Sequence, residues 1–533
     1  MRGQFQLLTL IWSSRVGYGV YFKQNRKFAT WTFKSSDHRT LGYTSPQYFN
    51  FGKDVLDKWS QLEKAGLREP SPALWKFNTR GEEDKWSFER MTHFSQKTAS
   101  ILSDICALSS GDRLMLMLPL SPETYWIGLA CMRLGITFIP CSFQLTSEDI
   151  HSRLRMSKAQ CIVVNEAVAP LVDSFMSDCP SVKTKILVSD KSYYGWLDFK
   201  KLIRDAPLKK TCAGTKSQDP MAIFFTKRTT GPPQVVTHSH YGLGMRFSQA
   251  SRQWMDLQST DVLWCLSDAF DGTLSLSNAL GAWLQGACVF LCDMPTFSPE
   301  TVLKVLQRFP ITTLSGNPGM YQDLLQHKSF SSYRFKSLKH CVTTGPINPG
   351  VIKDWKHITN LDIYEGYGKT ETGLLCATSK RMKLKPGSLG KPLPPYIVQI
   401  VDGNSNVLPP GEEGNIAILI KPNQPSHVYC PHMVSLEDYT SARGHKFFLT
   451  GDRGIMDEDG YFWWTGRANE NILKFLISKL ELTYASEGFA ESEKIVLSTC
   501  KYKREHLSTF YLLLLGEKMA LTSKSKEADK KDN

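Results

Sequence analysis

A chain of 533 residues, 41% hydrophobic and 22% charged, has the balance of a soluble globular protein and room for roughly two to four domains of ~100–200 residues. No stretch approaches the ~18 consecutive apolar residues of a membrane-spanning helix, which excludes a transmembrane segment on sequence grounds. The formal net charge of +13 admits nucleic acid, an anionic cofactor or a targeting arm; no nucleic-acid recognition motif accompanies it, so nucleic acid is excluded as a partner.

Part of the positive excess is terminal. Residues 1–36 contain no Asp or Glu, carry Arg2, Arg15, Lys23, Arg26, Lys27 and Lys34, and interleave Ser and Thr with Leu7, Leu8, Leu10, Ile11 and Trp12. That composition is a mitochondrial transit peptide and lacks the compact apolar core of a secretory signal. The 13 cysteines include no CxxC pair, so no zinc site is expected, and single scattered thiols read as small core residues of a reducing compartment.

After about residue 50 the pattern is globular. Arg113 to Leu118 predicts a strand, Pro122 to Leu134 a helix and Ile136 to Pro140 a second strand, a βαβ unit. Gln160 to Asn165 and Lys185 to Val188 repeat the strand signal, and Val262 to Leu266, Cys288 to Cys292 and Leu338 to Val342 form a second series. Between them, Ser298 caps a helix with Pro299 and Glu300 in its first turn and Val302, Leu303 and Leu306 facing inward. Ile397 to Ile420 changes to short strands with Gly and Pro turns, a small β subdomain. The alternation implies an α/β fold with helix-covered sheets. After Ile472 the character shifts, and Lys518 to Asn533, rich in Lys, Asp and Ser, reads as disordered.

Three segments carry chemistry. Phe225 is followed by Thr226, Lys227, Arg228, Thr229, Thr230, Gly231, Pro232, Pro233 and Gln234, whose hydroxyls and backbone N–H groups suit a polyphosphate, although a Thr-rich Gly-Pro turn also serves as a plain turn. It is not a Walker A loop, since no GK[ST] follows. Tyr364 to Gly373 places Glu365, Gly366, Tyr367, Gly368, Lys369, Thr370 and Glu371 in one glycine-rich stretch, able to offer a carboxylate to Mg²⁺ and hydroxyls to phosphate. Thr450-Gly451-Asp452 and Gly466-Arg467 supply an acidic acceptor for sugar hydroxyls and a cation for phosphate.

In this order and spacing the segments resemble the adenylate-forming, AMP-binding superfamily. Tyr367 to Glu371 matches its Y-G-x-T-E signature, Thr450 to Asp452 its T-G-D, Gly466-Arg467 its G-R, and Thr226 to Gln234 stands where its phosphate loop does. Trp126 to Pro140, His238-Ser239, Trp264 to Asp268, Gln285 to Phe290 and Leu361 to Glu365 look like the mitochondrial medium-chain acyl-CoA synthetases in particular, over about residues 40–472. The resemblance implies two helix-covered β-sheet subdomains plus a small β subdomain. It divides the chain into a transit peptide (1–36), an adenylation domain (40–465), a remnant hinge (466–472) and a divergent tail (473–533). It also implies a ligase of the mitochondrial matrix that uses ATP, CoA and Mg²⁺ to turn a fatty acid into acyl-AMP and then acyl-CoA. Residues 226–234 would then face the β- and γ-phosphates. Glu365 to Thr370 would flank adenine and the α-phosphate, and Thr370 would also touch the acyl carboxylate. Glu371 would hold Mg²⁺, Asp452 the ribose, and Arg467 the ribose or phosphate.

The chain departs from that pattern in four places. Lys227 and Arg228 replace small residues of the phosphate loop, and Gln234 replaces its terminal Lys. Gly345 stands where relatives have Glu, and Ala269-Phe270-Asp271 where they have a T-G-W-like segment. After Gly466-Arg467-Ala468 the match ends at Ile472, so the family's small carboxyl-terminal domain with its catalytic lysine is read as missing or non-homologous. These departures leave two readings: a ligase of weakened activity, or a protein that binds nucleotide or acyl ligand without turnover. The loop substitutions predict a gain from reversal. Steady-state kinetics of the R228G/Q234K double variant should show kcat/KM for ATP raised by about tenfold, the scale of one charge-assisted contact.

Overall fold

In the computed structural model the described residues are 46–78, 80–226, 233–266, 273–294, 296–420, 439–442 and 445–468. The proposed transit peptide, the tail from residue 473 and most of the proposed hinge lie outside them. Among the described residues the strands form three sheets, of seven, nine and five strands.

The seven-stranded sheet runs Leu197–Asp198, Thr184–Leu187, Cys161–Val164, Arg113–Met117, Thr137–Pro140, Pro220–Thr226 and Gln234–Ser239 across its width. All pairs are parallel except the last, an antiparallel hairpin in which Thr226 faces Gln234. Its central strands are continuous apolar runs because both faces are covered: every residue of Cys161–Val164 is fully buried. The helix Pro122–Leu134 occupies the span expected from the sequence, with Pro in its first turn and Gly135 at φ 71° ending it.

The nine-stranded sheet has a parallel centre (Ile363–Lys369, His340–Thr344, Thr313–Gly316, Val262–Cys265, Cys288–Asp293, Leu74–Asn78) with antiparallel strands at both edges. Helix Pro299–Arg308 is capped as its sequence indicates, the Ser298 hydroxyl accepting from the Thr301 N–H, and it turns Val302, Leu303 and Leu306 into a core with Trp264, Phe290, Tyr321 and Trp355. The third sheet is antiparallel, built from Val398–Val401, Glu413–Ile420, Tyr439–Ala442, His445–Met456 and Phe462–Arg467. It is the β subdomain expected from the Gly/Pro-punctuated text after Ile397.

Two contacts join these layers. The helical stretch His240–Trp254 follows the hairpin of the first sheet and lies against the second; the Trp254 indole donates to the Tyr364 carbonyl at 3.1 Å, and its ring fills the space that a Cβ on Gly366 would occupy. Arg133, fully buried on helix Pro122–Leu134, is held by both carboxylate oxygens of Asp57 and by the Ser95 hydroxyl. A buried guanidinium is tolerated only with such a set of acceptors. Among the described residues no helix is long and apolar enough to cross a membrane.

Candidate active site

The site forms where the nine-stranded sheet meets the small sheet. Strand Ile363–Lys369 runs to the carboxyl edge of its sheet, turns through Thr370, Glu371 and Thr372, and returns as Gly373–Ala377. Ligands of open parallel sheets bind beyond the carboxyl ends of the strands, and this turn lies there. Tyr367 and Lys369 leave the strand toward the small sheet and meet Asp452. The Tyr367 hydroxyl donates to Asp452 Oδ2 at 2.8 Å and shares its proton with the Thr450 hydroxyl at 3.1 Å; the Lys369 Nζ is 2.9 Å from the same Oδ2.

The backbone explains why Asp452 can reach across. Gly451 adopts φ 74°, a left-handed conformation that a side chain would strain, and the pairing of Glu413–Ile420 with His445–Met456 shifts register beside it. The resulting bulge turns Thr450 and Asp452 toward one point, where the Thr450 hydroxyl donates to the Ile416 carbonyl at 2.9 Å and accepts the Asp452 N–H at 3.3 Å. Arg467 faces Asp452 in register from the neighbouring strand, half-exposed, with Nε 3.9 Å from Oδ1. Burial and the Asp452 carboxylate push the Tyr367 phenol well above its ordinary range, which keeps it a donor.

The first and second sheets meet at Thr370. His238, at the end of the hairpin strand Gln234–Ser239, is fully enclosed, and its Nδ1 lies 2.7 Å from an Arg246 amino nitrogen. A guanidinium only donates, so Nδ1 accepts and the proton sits on Nε2, which bonds the Thr370 backbone. Burial, then the Arg246 charge, hold the imidazole pKa well below its ordinary value, so it stays neutral. The Tyr396 hydroxyl braces the far side of the same turn, donating to the Thr372 carbonyl at 2.6 Å. These braces escaped sequence reasoning: His238 stood out only within a resembling stretch, and nothing in the linear pattern links Arg246 or Tyr396 to the turn.

Of the residues singled out in the sequence, Tyr367, Lys369, Asp452 and Arg467 converge, and Thr370 and Glu371 lie in the adjoining turn. Thr226 and Gln234 face each other at the mouth of the hairpin and Pro233 precedes Gln234; Lys227, Arg228, Thr229, Thr230, Gly231 and Pro232 lie outside the described residues. Gly366 and Gly368 give the strand its close approaches. Glu365 points elsewhere: its carboxylate accepts from the Gly387 N–H at 3.0 Å and the Ile347 N–H at 3.4 Å. It therefore holds the turn after Gly345, which has φ 93° and open space where a side chain would project.

The chain that builds this glycine-rich turn, with a buried acid on the small sheet opposite, matches the profile of a known enzyme family. That profile, AMP-binding enzyme, matches residues 63–422. Human mitochondrial acyl-coenzyme A synthetase ACSM6 is 71% identical over 471 residues, covering 88% of this chain and 98% of that relative. Human mitochondrial acyl-coenzyme A synthetase ACSM4 is 47% identical over 429 residues, 80% of this chain and 74% of the relative. The chain belongs to the medium-chain acyl-CoA synthetase family of AMP-binding enzymes. Among solved structures, the anthranilate CoA ligase AuaEII in complex with anthranoyl-AMP superposes with a TM-score of 0.70 at 23% identity, covering 80% of this chain and 79% of that one. The N-terminal domain of FACL13 from Mycobacterium tuberculosis gives a TM-score of 0.66 at 20% identity and is 99% covered by 78% of this chain. Both likenesses are of fold.

Burial raises the Glu365 carboxyl from 4.5 to about 7, against the two backbone donors. The folded state therefore prefers the protonated acid. That stabilisation is complete below the unfolded value and is lost as pH rises through about 7. Relative to E365Q, the wild type should lose stability between about pH 4.5 and 7 and level off above, at up to ~1.4 kcal/mol per pH unit. Thermal melts of the pair across that range read the difference directly.

Proposed function

We propose that this protein is an AMP-forming ligase that activates medium-chain fatty acids to acyl-CoA in the mitochondrial matrix, with Mg²⁺ as its metal. The observation that carries the reading is the buried Asp452, fixed by Tyr367 and Lys369 beside the Thr370–Glu371 turn and faced by Arg467. AMP-binding enzymes of this kind use ATP and CoA, and the two human relatives described above are mitochondrial by name. The alternative of a binding protein without turnover gains no support from these comparisons.

In the first half-reaction a carboxylate oxygen of the fatty acid attacks the α-phosphorus of ATP, the bond to the β-phosphate oxygen breaks, and pyrophosphate leaves. The nucleophile is already an anion, so the protein's task is placement and charge compensation. In the second, CoA sulfur attacks the acyl carbon, and AMP leaves with the electron pair of the acyl–oxygen bond. Within this reading Asp452 accepts from ribose hydroxyls and Arg467 meets the ribose or phosphate. Thr370, with its backbone fixed by His238, offers its hydroxyl near the acyl carboxylate and α-phosphate. Residues 226–234 would meet the outer phosphates.

Magnesium fits Glu371. Among the described residues no ion pair or hydrogen bond engages this half-buried carboxylate, and magnesium bound chiefly by phosphates and water asks for only one or two protein carboxylates. A metal held there supplies charge neutralisation to the phosphates. The test is pyrophosphate release and acyl-CoA formation by the purified chain with ATP, Mg²⁺, CoA and octanoate. Turnover should exceed that of E371Q by about a hundredfold, the scale of losing a charge stabiliser at the reacting phosphate. Product no greater than in E371Q would overturn the reading.

A further inference from the structure

Lys369 pairs with a carboxylate of the protein itself. Its ammonium is 2.9 Å from Asp452 Oδ2, the oxygen that also receives the Tyr367 hydroxyl at 2.8 Å. The lysine side chain is 21% exposed and the Asp452 side chain 6%, so water does little to screen the pair. The other oxygen, Oδ1, has Arg467 Nε at 3.9 Å, beyond hydrogen-bond range. Asp452 thus has one oxygen filled by the protein and one that faces Arg467 and has no hydrogen bond among the described residues.

An enclosed carboxylate that depended on its ligand for hydrogen bonds would be left short by any ligand lacking a hydroxyl. Such unpaired groups are what make polar sites reject deoxy analogues strongly. Here the charge is compensated before any sugar arrives. Oδ1 can take one hydroxyl, and a second has only the occupied Oδ2 to compete for.

We propose that Lys369 is a specificity-determining residue that relaxes selection for ribose over deoxyribose by keeping Asp452 satisfied whichever sugar is bound. The inference rests on the reading of Asp452 as ribose acceptor given above. A lysine acting only as a strut between the two sheets would alter melting temperature and leave sugar selectivity untouched.

Calorimetric binding of ATP and 2′-deoxy-ATP, with Mg²⁺, to the full wild-type chain and to K369M separates these roles without requiring turnover. Wild type should bind ATP less than about fivefold more tightly than 2′-deoxy-ATP, and K369M should widen that ratio by about tenfold or more, the order expected for an acceptor left unpaired. K369Q, one bond shorter and uncharged but still a donor, serves if K369M fails to fold and should widen the ratio in the same direction by a smaller factor. A ratio equal in wild type and variant overturns the inference alone. Absence of binding by both nucleotides to the wild type overturns it together with the nucleotide-site reading.

Discussion

A carboxylate almost entirely removed from water must be compensated, and the compensation of Asp452 organises the site. Its partners come from a different sheet: Tyr367 and Lys369 at the end of the strand Ile363–Lys369 reach it across the boundary with the small β subdomain. Losing one partner of such a set leaves a charge stranded in low dielectric, a cost of ~3–5 kcal/mol, so the two sheets are coupled through this point. The bulge at Gly451 is the local price of that arrangement, since only a left-handed residue there lets Thr450 and Asp452 converge on one phenol.

A second junction fixes the other side of the turn. His238 is neutral because it is enclosed and next to Arg246, and its neutrality sets which nitrogen donates to Thr370. The hairpin of the first sheet is thereby attached to the turn bearing Thr370 and Glu371. Segments more than a hundred residues apart in sequence are brought together through His238, whose protonation state follows from burial. Nucleotide chemistry placed here would draw on groups whose orientation is fixed before the substrate arrives.

Much of the fold was legible in the sequence because its strands are buried on both faces. Cys161–Val164 and Cys288–Cys292 read as uninterrupted apolar runs, and Ser298-Pro299 marks a helix start by its own chemistry. The site was legible in part. Asp452, Arg467 and the turn at Thr370 announced themselves as motifs, but the ion pair of Lys369 did not, because pairing between strands of different sheets leaves no periodic trace. Glu365 sits in the same motif and yet turns its carboxylate to two backbone N–H groups, a distinction of direction that spacing along one strand does not carry. The Arg246–His238 contact spans the junction of a strand and a helix and was equally hidden.

Asp452 is the proposed ribose acceptor on which nucleotide binding at this site depends. The most direct measurement is the dissociation constant of Mg·ATP for wild type and D452N, by calorimetry on the full chain with melting temperatures recorded for both. The expected result is binding weakened by about tenfold or more, as befits loss of charge-assisted hydrogen bonds, in a variant that still melts cooperatively. Equal affinity in the two folded proteins would place the nucleotide elsewhere and contradict the account.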